Sequence, residues 1–286
     1  PTGANAMRKM PRNPHREGFL AGGSSTGSGV AVATGLVPLA IGADGGGSIR
    51  IPSSINGVFG IKATWGRLSR HGDPSGGSVA HVGPLGASSL ELARMLELCA
   101  DRDANDLETR EAPAKGSYVA ALRRGVRGLV LGVPRGEWAD AHPDVAQACL
   151  EALRVLERAG ATLRDIEIPL AKHAPSIGYI TIALEARCNL RHSWQHNIED
   201  MSPDLVVSFA SLDSFSAIEF ADSQRLRAGL RRDMARSFQE IDAVLLPTTQ
   251  TTAVPATPEE MASGFVDSAA IDAMCRYNFL GNLTGH

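Results

Sequence analysis

The sequence has only four cysteines, and no two of them form a Cys-x-x-Cys pair. Cys99, Cys149, Cys188 and Cys275 lie 50, 39 and 87 positions apart, a spacing that excludes the common zinc and dithiol motifs. We interpret them as small core residues in a reducing compartment. Apolar runs of the roughly 20 residues needed to cross a bilayer are missing, as is the charged-then-apolar pattern of a signal peptide. A cytoplasmic location is therefore expected.

The sequence also lacks an excess of charge of either sign. Its formal net charge is -3 over 286 residues, which gives no electrostatic reason to expect nucleic acid or an anionic membrane as a partner. The expected partners are a small molecule and, if the protein self-associates, a second copy in a homodimer. Because 43% of the residues are hydrophobic and no repeat or low-complexity linker interrupts them, we predict a single domain over 1–286.

What the sequence does contain is two serines presented by glycine-rich loops. Ser24 lies in Gly-Gly-Ser-Ser-Thr-Gly-Ser-Gly at 22–29, and Ser48 lies in Asp-Gly-Gly-Gly-Ser-Ile-Arg at 44–50. Such loops have little side chain to bury and many backbone N–H groups to offer a ligand. The apolar segment 30–41 between them predicts a scaffold that holds both hydroxyls in one pocket. This pattern favours a serine nucleophile with a hydroxyl neighbour.

The rest of the chain alternates between strand and helix patterns. Strands are predicted at 38–42, 128–133, 162–168 and 243–246, and helices at 30–33, 48–54, 89–100, 143–159 and 218–238. The alternation predicts an α/β sandwich. It also places Ser48 at a helix amino terminus, where the helix dipole favours the negative charge of an acyl-transfer intermediate.

The segment 22–64 resembles the amidase signature family, both in its motifs and in the separation of the two serines. The matching motifs are Gly-Gly-Ser-Ser at 22–25, Gly-Leu-Val-Pro-Leu at 35–39, Gly-Gly-Gly-Ser-Ile-Arg-Ile-Pro at 45–52 and Gly-Val-Phe-Gly-Ile-Lys at 57–62. Fainter similarity continues through 128–134, 160–161, 243–248 and 282–285. The resemblance implies a single α/β domain with a mixed β-sheet core covered by helices on both faces.

The resemblance also implies a Ser-Ser-Lys mechanism for cleaving an amide C–N bond. Ser48 matches the serine that attacks the carbonyl, and Ser24 matches the serine that bridges to it through a cis peptide, while a neutral lysine takes the proton. The backbone N–H groups of Gly45, Gly46, Gly47 and of the nucleophile itself match the oxyanion hole. Such a mechanism needs no metal and no organic cofactor.

Three further residues are expected to support these loops. Asp44 and Arg50 flank the second loop and are predicted to form an ion pair that fixes its shape, with a plain surface pair as the alternative. Ser25 is predicted to support Ser24 by a hydrogen bond, or else to serve ordinary turn chemistry. Many family members have Thr or Ile where this chain has Gly45, a change that keeps the N–H group.

The family's base lysine is the one part of the pattern that these residues do not supply. It lies several dozen residues before the position of Ser24, on a segment that the 286 residues do not contain. Lys62 matches a different family position, and Lys9, Lys115 and Lys172 match nothing catalytic. We therefore expect the chain to be the middle of a longer amidase, truncated at both ends and inactive, or nearly so, on its own.

Two alternative functions stay open. The segment 23–27 also fits the Gly-x-Ser-x-Gly elbow of an α/β-hydrolase esterase with Ser25 as nucleophile, although the preceding 13–18 is polar and proline-broken where a strand is required. The other alternative is the glutaminase subunit of a tRNA-dependent amidotransferase, which shares the signature. That subunit has Gln after the arginine matched by Arg50, whereas Ile51 follows here, so a stand-alone enzyme is favoured.

The remaining motifs have simpler interpretations than ligand sites. Ser28 stands where a phosphate-binding loop requires lysine, which counts against nucleotide binding. His192 and His196 are four apart, but Ser193 stands where a zincin requires glutamate, so a solvated or core pair is favoured over a metal site.

A basic cluster within 225–236 could suggest nucleic acid. Leu226, Leu230 and Met234 recur every four residues beneath its arginines, a spacing that predicts instead an amphipathic helix with a solvated basic face. The walls of the acyl pocket are expected from 71–82 and 175–197, and esters, aryl amides, oligoamides and small aliphatic amides all stay open as substrates.

Overall fold

The computed structural model describes residues 2–3, 8–73, 77–114 and 116–286, which form two small sheets surrounded by helices. The strands are β1 (Leu39–Asp44), β2 (Phe59–Gly60), β3 (His81–Gly86), β4 (Val130–Val133), β5 (Thr162–Asp165) and β6 (Ala243–Val244). The helices are α1 (Thr26–Ala33), α2 (Arg50–Ile55), α3 (Ser89–Cys99), α4 (Tyr118–Ala121), α5 (Pro143–Arg158), α6 (Ala174–Asn189), α7 (Arg191–His196), α8 (Pro203–Ser211), α9 (Ala217–Ser237), α10 (Pro258–Ser263), α11 (Ser268–Cys275) and α12 (Phe279–Thr284).

The first sheet is antiparallel and delivers the second glycine loop. Its order is β1-β3-β2, and its register runs from Leu39 opposite Gly86 to Asp44 opposite His81. Because Asp44 is the last residue of β1, the glycines that follow leave the sheet beside the start of β3. The register therefore fixes where the loop begins.

The second sheet is parallel, with the order β5-β4-β6. Helix α5 connects β4 to β5, as parallel neighbours require a crossover. Pro143 lies in its first turn and Leu153 faces the core. The predicted α/β class is thus confirmed, but within the described residues the sheet is divided into one antiparallel and one parallel part.

The largest hydrophobic cluster lies beneath the second glycine loop. Helices α6, α9 and α12 pack on one another, and their side chains join those of α2 in a core that includes Ile51, Ile177, Leu230, Phe279 and Leu283. Each of these side chains is almost fully buried, which contributes about 1.5–3 kcal/mol per residue to folding. The loop therefore rests on the best-packed part of the molecule.

The structure shortens or exposes some of the predicted strands. The strand predicted as buried at 38–42 is β1, an edge strand in which Ile41 is 54% exposed. The predictions at 162–168 and 243–246 hold only for the first residues of each range, since β5 ends at Asp165 and β6 at Val244. Just beyond those ends, the N–H groups of Ile166 and Leu245 still donate to the β4 carbonyl oxygens of Val133 (3.2 Å) and Gly132 (2.8 Å), after which the regular pairing stops.

The predicted solvated face of α9 is wrong at Arg227. This arginine is 5% exposed, whereas Leu226 is 44% exposed. The Arg227 guanidinium donates hydrogen bonds to the backbone oxygens of Ser78 (2.7 Å) and Leu283 (3.0 Å). At this point of α9 the buried face therefore carries an arginine, because polar partners inside the fold bind its guanidinium.

The cysteines are also less uniform than predicted. Cys275 is buried and Cys149 half-buried, but Cys99 and Cys188 are exposed. Cys99 is the last residue of α3, and Cys188 lies one residue before the end of α6. Both exposed cysteines are thus at the carboxyl ends of helices. In the part of the chain that the structure describes, no helix is both long and apolar enough to span a bilayer.

Candidate active site

A buried carboxylate holds the second glycine loop in place. Asp44 has no exposed surface, and its oxygens accept hydrogen bonds from the backbone N–H groups of Gly47 (2.7 Å) and Ile49 (3.1 Å). They also accept bonds from Nη2 (2.8 Å) and Nε (3.0 Å) of Arg50. The ion pair predicted between Asp44 and Arg50 is thus present, as a bidentate pair rather than a surface contact.

The surroundings of Asp44 keep it ionised. Burial alone would raise the pKa of this carboxyl group, but the charge of Arg50 and the hydrogen bonds from Arg50, Asn282 and Gly47 outweigh burial and hold the pKa well below its usual range. The loop is therefore tied to a fixed negative charge across the neutral pH range.

The N–H groups of the loop divide into two sets. That of Gly47 is committed to Asp44, so its predicted place in an oxyanion hole meets a competing partner. Among the described residues, those of Gly45, Gly46 and Ser48 make no hydrogen bond within the chain. Three N–H groups of this loop, two of them on buried glycines, therefore have no hydrogen-bond partner in the part of the chain that is described.

Glycine is required at Gly46 because the loop touches the aromatic core. A Cβ atom there would overlap the Phe279 ring, which the core holds fixed. At Gly45 a Cβ atom would meet only the side chain of Ile182, whose terminal Cδ1 atom would lie at 2.5 Å. The Phe279 ring cannot move away from an added Cβ atom, whereas the Ile182 side chain can change rotamer.

We therefore expect Gly46→Ala to lower the free energy of unfolding by about 1–3 kcal/mol, and Gly45→Ala to have a smaller effect because Ile182 can change rotamer. Chemical denaturation of the two variants side by side measures the difference. Equal losses would show that the Phe279 contact does not determine the requirement for glycine.

The first glycine loop lies directly against the second. The Ser25 N–H group donates to the Ser48 carbonyl oxygen at 3.1 Å, and the Gly23–Ser24 peptide bond is cis, as the resemblance implies. Ser24 is exposed and Ser48 half-buried. The described residues show no hydrogen bond between the Ser24 and Ser48 hydroxyls, so their direct contact stays a prediction; such bonds often tighten only when substrate binds.

Ser25 has a different partner from the one predicted. Its hydroxyl donates to the carbonyl oxygen of Ala43 and accepts from the Ala43 N–H group, both at 3.2 Å. These bonds join the first loop to β1 and do not reach Ser24. Within the described residues before Ser25 there is also no strand of the kind that a nucleophile elbow requires. Ser25 thus serves to dock the two loops.

Lys62 lies close enough to this network to respond to its charges. Burial and the neighbouring charge of Arg50 lower the pKa of Lys62 to about 7. Its Nζ atom donates to the Ala63 carbonyl oxygen at 2.8 Å, and the described residues show no hydrogen bond from it to Ser24 or Ser48. An amine whose pKa lies near neutrality is therefore present near Arg50 and Asp44.

Sequence reasoning missed two buried residues of the site, His81 and Asn282. His81 is 3% exposed, and one of its ring nitrogens lies 2.8 Å from the Val79 carbonyl oxygen. Burial and the charge of Lys62 lower the pKa of His81 to about 3, which keeps the ring neutral. Asn282 belongs to the segment 282–285, which has a faint similarity to the amidase signature family. Its partner Asp44 lies 238 positions away in the sequence, and no sequence pattern links the two residues.

A cavity of about 840 Å³ lies behind the site rather than at the serines. Lys62, Trp65, Arg67 and Tyr118 are among the residues that line it, but neither Ser24 nor Ser48 does. Backbone donors without a partner among the described residues and the Ser48 hydroxyl lie together at the second glycine loop, not in this cavity.

Comparison with known sequences gives consistent matches. A model of the family described as Amidase matches residues 1–286. The glutamyl-tRNA(Gln) amidotransferase A-subunit of Myxococcus xanthus (strain DK1622) is 34% identical over 299 residues, covering 96% of this chain and 60% of the relative. That of Chloroflexus aggregans (strain MD-66 / DSM 9485) is 32% identical over 276 residues, covering 88% and 56%. The chain thus spans little more than half the length of these relatives.

Solved structures agree with the sequence matches. One, described as a vestigial protein complex that reveals the evolutionary origins of an s-triazine catabolic enzyme, has a TM-score of 0.86 and 31% identity, and the match covers 97% of this chain and 60% of that one. The glutamyl-tRNA(Gln) amidotransferase A-subunit of Thermotoga maritima has a TM-score of 0.80 and 29% identity, with 96% and 59% covered.

Proposed function

Because the chain belongs to the amidase family, we propose that it forms the catalytic part of a serine amidohydrolase with Ser48 as the nucleophile. The observation that carries the proposal is the loop itself: in the described part of the chain its Gly45 and Gly46 N–H groups make no hydrogen bond, and Asp44 and Arg50 bind its backbone beside Ser48. Preorganised donors beside a hydroxyl are what acyl transfer needs.

In the proposed reaction the Ser48 Oγ atom attacks the carbonyl carbon of an amide. The resulting oxyanion accepts hydrogen bonds from the N–H groups of Gly45, Gly46 and Ser48. The C–N bond then breaks, the amine leaves with the proton taken from the hydroxyl, and water hydrolyses the acyl-enzyme. We assign the proton relay to Ser24 and the base to a lysine that is not among residues 1–286. A small-molecule amide is the proposed substrate class.

Covalent labelling tests this proposal. We expect a fluorophosphonate to react with one serine of the protein that contains this chain, and peptide mass spectrometry to find the adduct on Ser48. Heat-denatured protein is the control for nonspecific labelling. An adduct on Ser25 would support the esterase elbow instead, and labelling no faster than in the denatured control would contradict both proposals.

A second candidate is a glutaminase subunit of a tRNA-dependent amidotransferase. It is favoured by the similarity to the amidotransferase A-subunits, and it uses the same nucleophile. Ile51 after Arg50 keeps the stand-alone amidase as our first choice. Ammonia transfer that depends on a copurified second subunit would reverse that choice.

A further inference from the structure

Asn282 lies at the centre of the contacts that hold the second glycine loop, although it is far from that loop in sequence. It is on α12 and has no exposed surface. Its Nδ2 atom donates to the backbone oxygen of Asp44 (2.8 Å), the carboxylate of Asp44 (3.0 Å) and the backbone oxygen of Val79 (3.0 Å). Its Oδ1 atom accepts from Nη2 of Arg50 at 2.5 Å. The amide thus contacts both ends of the Asp44–Arg50 pair.

These four contacts determine the start of the loop. The Asp44 carbonyl belongs to the peptide unit whose N–H group is that of Gly45, so a bond to this oxygen sets the direction of the first free donor. The bond to Val79 ties the same peptide to the segment that enters β3. A shift of this peptide unit would move the Gly45 donor away from a bound oxyanion.

We propose that Asn282 is a positioning residue for the oxyanion donors, acting through the Asp44 peptide unit and Arg50. The inference rests on the proposed function of the Ser48 loop. An amide meets the requirements of this position, because its two N–H bonds can be shared among the three neighbouring oxygens while its own oxygen accepts from a guanidinium. A hydrophobic side chain would leave those groups unpaired, and a carboxylate would place a second negative charge beside Asp44.

The test compares Asn282→Asp and Asn282→Ala with the parent, in the protein that contains this chain. Asn282→Asp keeps the shape and the acceptor for Arg50 but loses the donor. We expect the rate constant of fluorophosphonate labelling at Ser48, and kcat for an aryl amide such as 4-nitroacetanilide, to fall about 10²-fold at neutral pH, since small misplacements of reacting groups cost this much. KM is expected to change little.

The pH profile separates positioning from folding. As pH falls, the new carboxyl group takes up a proton and can donate again, so the ratio of Asn282→Asp to parent rates is expected to rise, whereas for Asn282→Ala it stays flat. The charged or titratable groups that face or neighbour this position are Asp44 on β1, Arg50 on α2, His81 on β3, Lys62 in the loop after β2, and Arg227 and Arg231 on α9.

Thr109→Val is the matched control for lost buried hydrogen bonds. Thr109 is also fully buried, and its hydroxyl bonds to the backbone of Asp103 and Asp106, outside the loop network. We expect this variant to melt at a lower temperature and to keep the parental kcat.

Three outcomes would overturn the inference: a parental kcat in Asn282→Asp, a pH ratio that does not rise in acid, or failure of both Asn282 variants to fold, which would assign the residue to stability alone. The proposed function fails separately, if the parent is not labelled at Ser48.

Discussion

Replacement of Ser48 by alanine is expected to abolish fluorophosphonate labelling and to lower amide turnover by roughly 10⁴–10⁶-fold, in the protein that contains this chain. Without the Oγ atom no acyl-enzyme can form, and the free N–H groups of Gly45 and Gly46 then act only on attack by water. Measurement of kcat with 4-nitroacetanilide and of the adduct by intact-mass spectrometry gives both results in one preparation.

The matched control for this variant is Ser25→Ala. Ser25 binds Ala43 through its hydroxyl, so its loss is expected to loosen the contact between the loops without removing the nucleophile. We expect Ser25→Ala to keep covalent labelling at Ser48. A greater loss of turnover in Ser25→Ala than in Ser48→Ala would contradict the assignment and favour the elbow mechanism.

The substitution Asp44→Asn is expected to lower the free energy of unfolding by about 3–5 kcal/mol. The new side chain has nearly the same shape, but it removes the negative charge that faces Arg50, whose side chain is only 21% exposed. It also turns an amide donor towards N–H groups that now donate to the carboxylate. Chemical denaturation of parent and variant measures the loss.

Asp222→Asn serves as the surface control, since Asp222 pairs with Arg225 on the exposed side of α9. There we expect a change of about 0–1 kcal/mol. The double variant Asp44→Asn, Arg50→Met should recover part of the loss, because it removes the unpaired charge. A loss at Asp44 no larger than that at Asp222 would mean that the pair does not hold the loop.

The glycine loops were predictable from sequence because their chemistry is local. The run of Gly and Ser around Ser48 forms a loop as predicted, whereas the run around Ser24 is a loop only as far as Ser25, because 26–29 already belong to α1. The Asp44–Arg50 pair spans only six positions. The ranges of the long helix α9 and of the helix α5 also matched their predictions to within a few residues. Apolar spacing located both helices, although in α9 it assigned Leu226 and Arg227 to the wrong faces.

The rest could not be predicted because it depends on long-range partners. Arg227 is buried and donates hydrogen bonds to the backbone oxygens of Ser78 and Leu283, and the buried Asn282 donates to Asp44. No rule based on residue spacing predicts contacts between residues so far apart in the sequence. Likewise, the sequence gives no sign that the Gly47 N–H group is committed to a carboxylate instead of a ligand. Periodicity identifies the faces of elements, but the tertiary fold decides which polar groups those faces meet.

The contact between Asn282 and Asp44 has a consequence for the order in which the site forms. The two residues are 238 positions apart, so at 5–20 residues per second the ribosome needs tens of seconds to add the second after the first. Contacts of such large separation also form late in refolding, because their loop-closure entropy is unfavourable. The first sheet can pair before then, but a nascent chain that already exposes Ser48 has not yet gained the amide that fixes its neighbouring backbone.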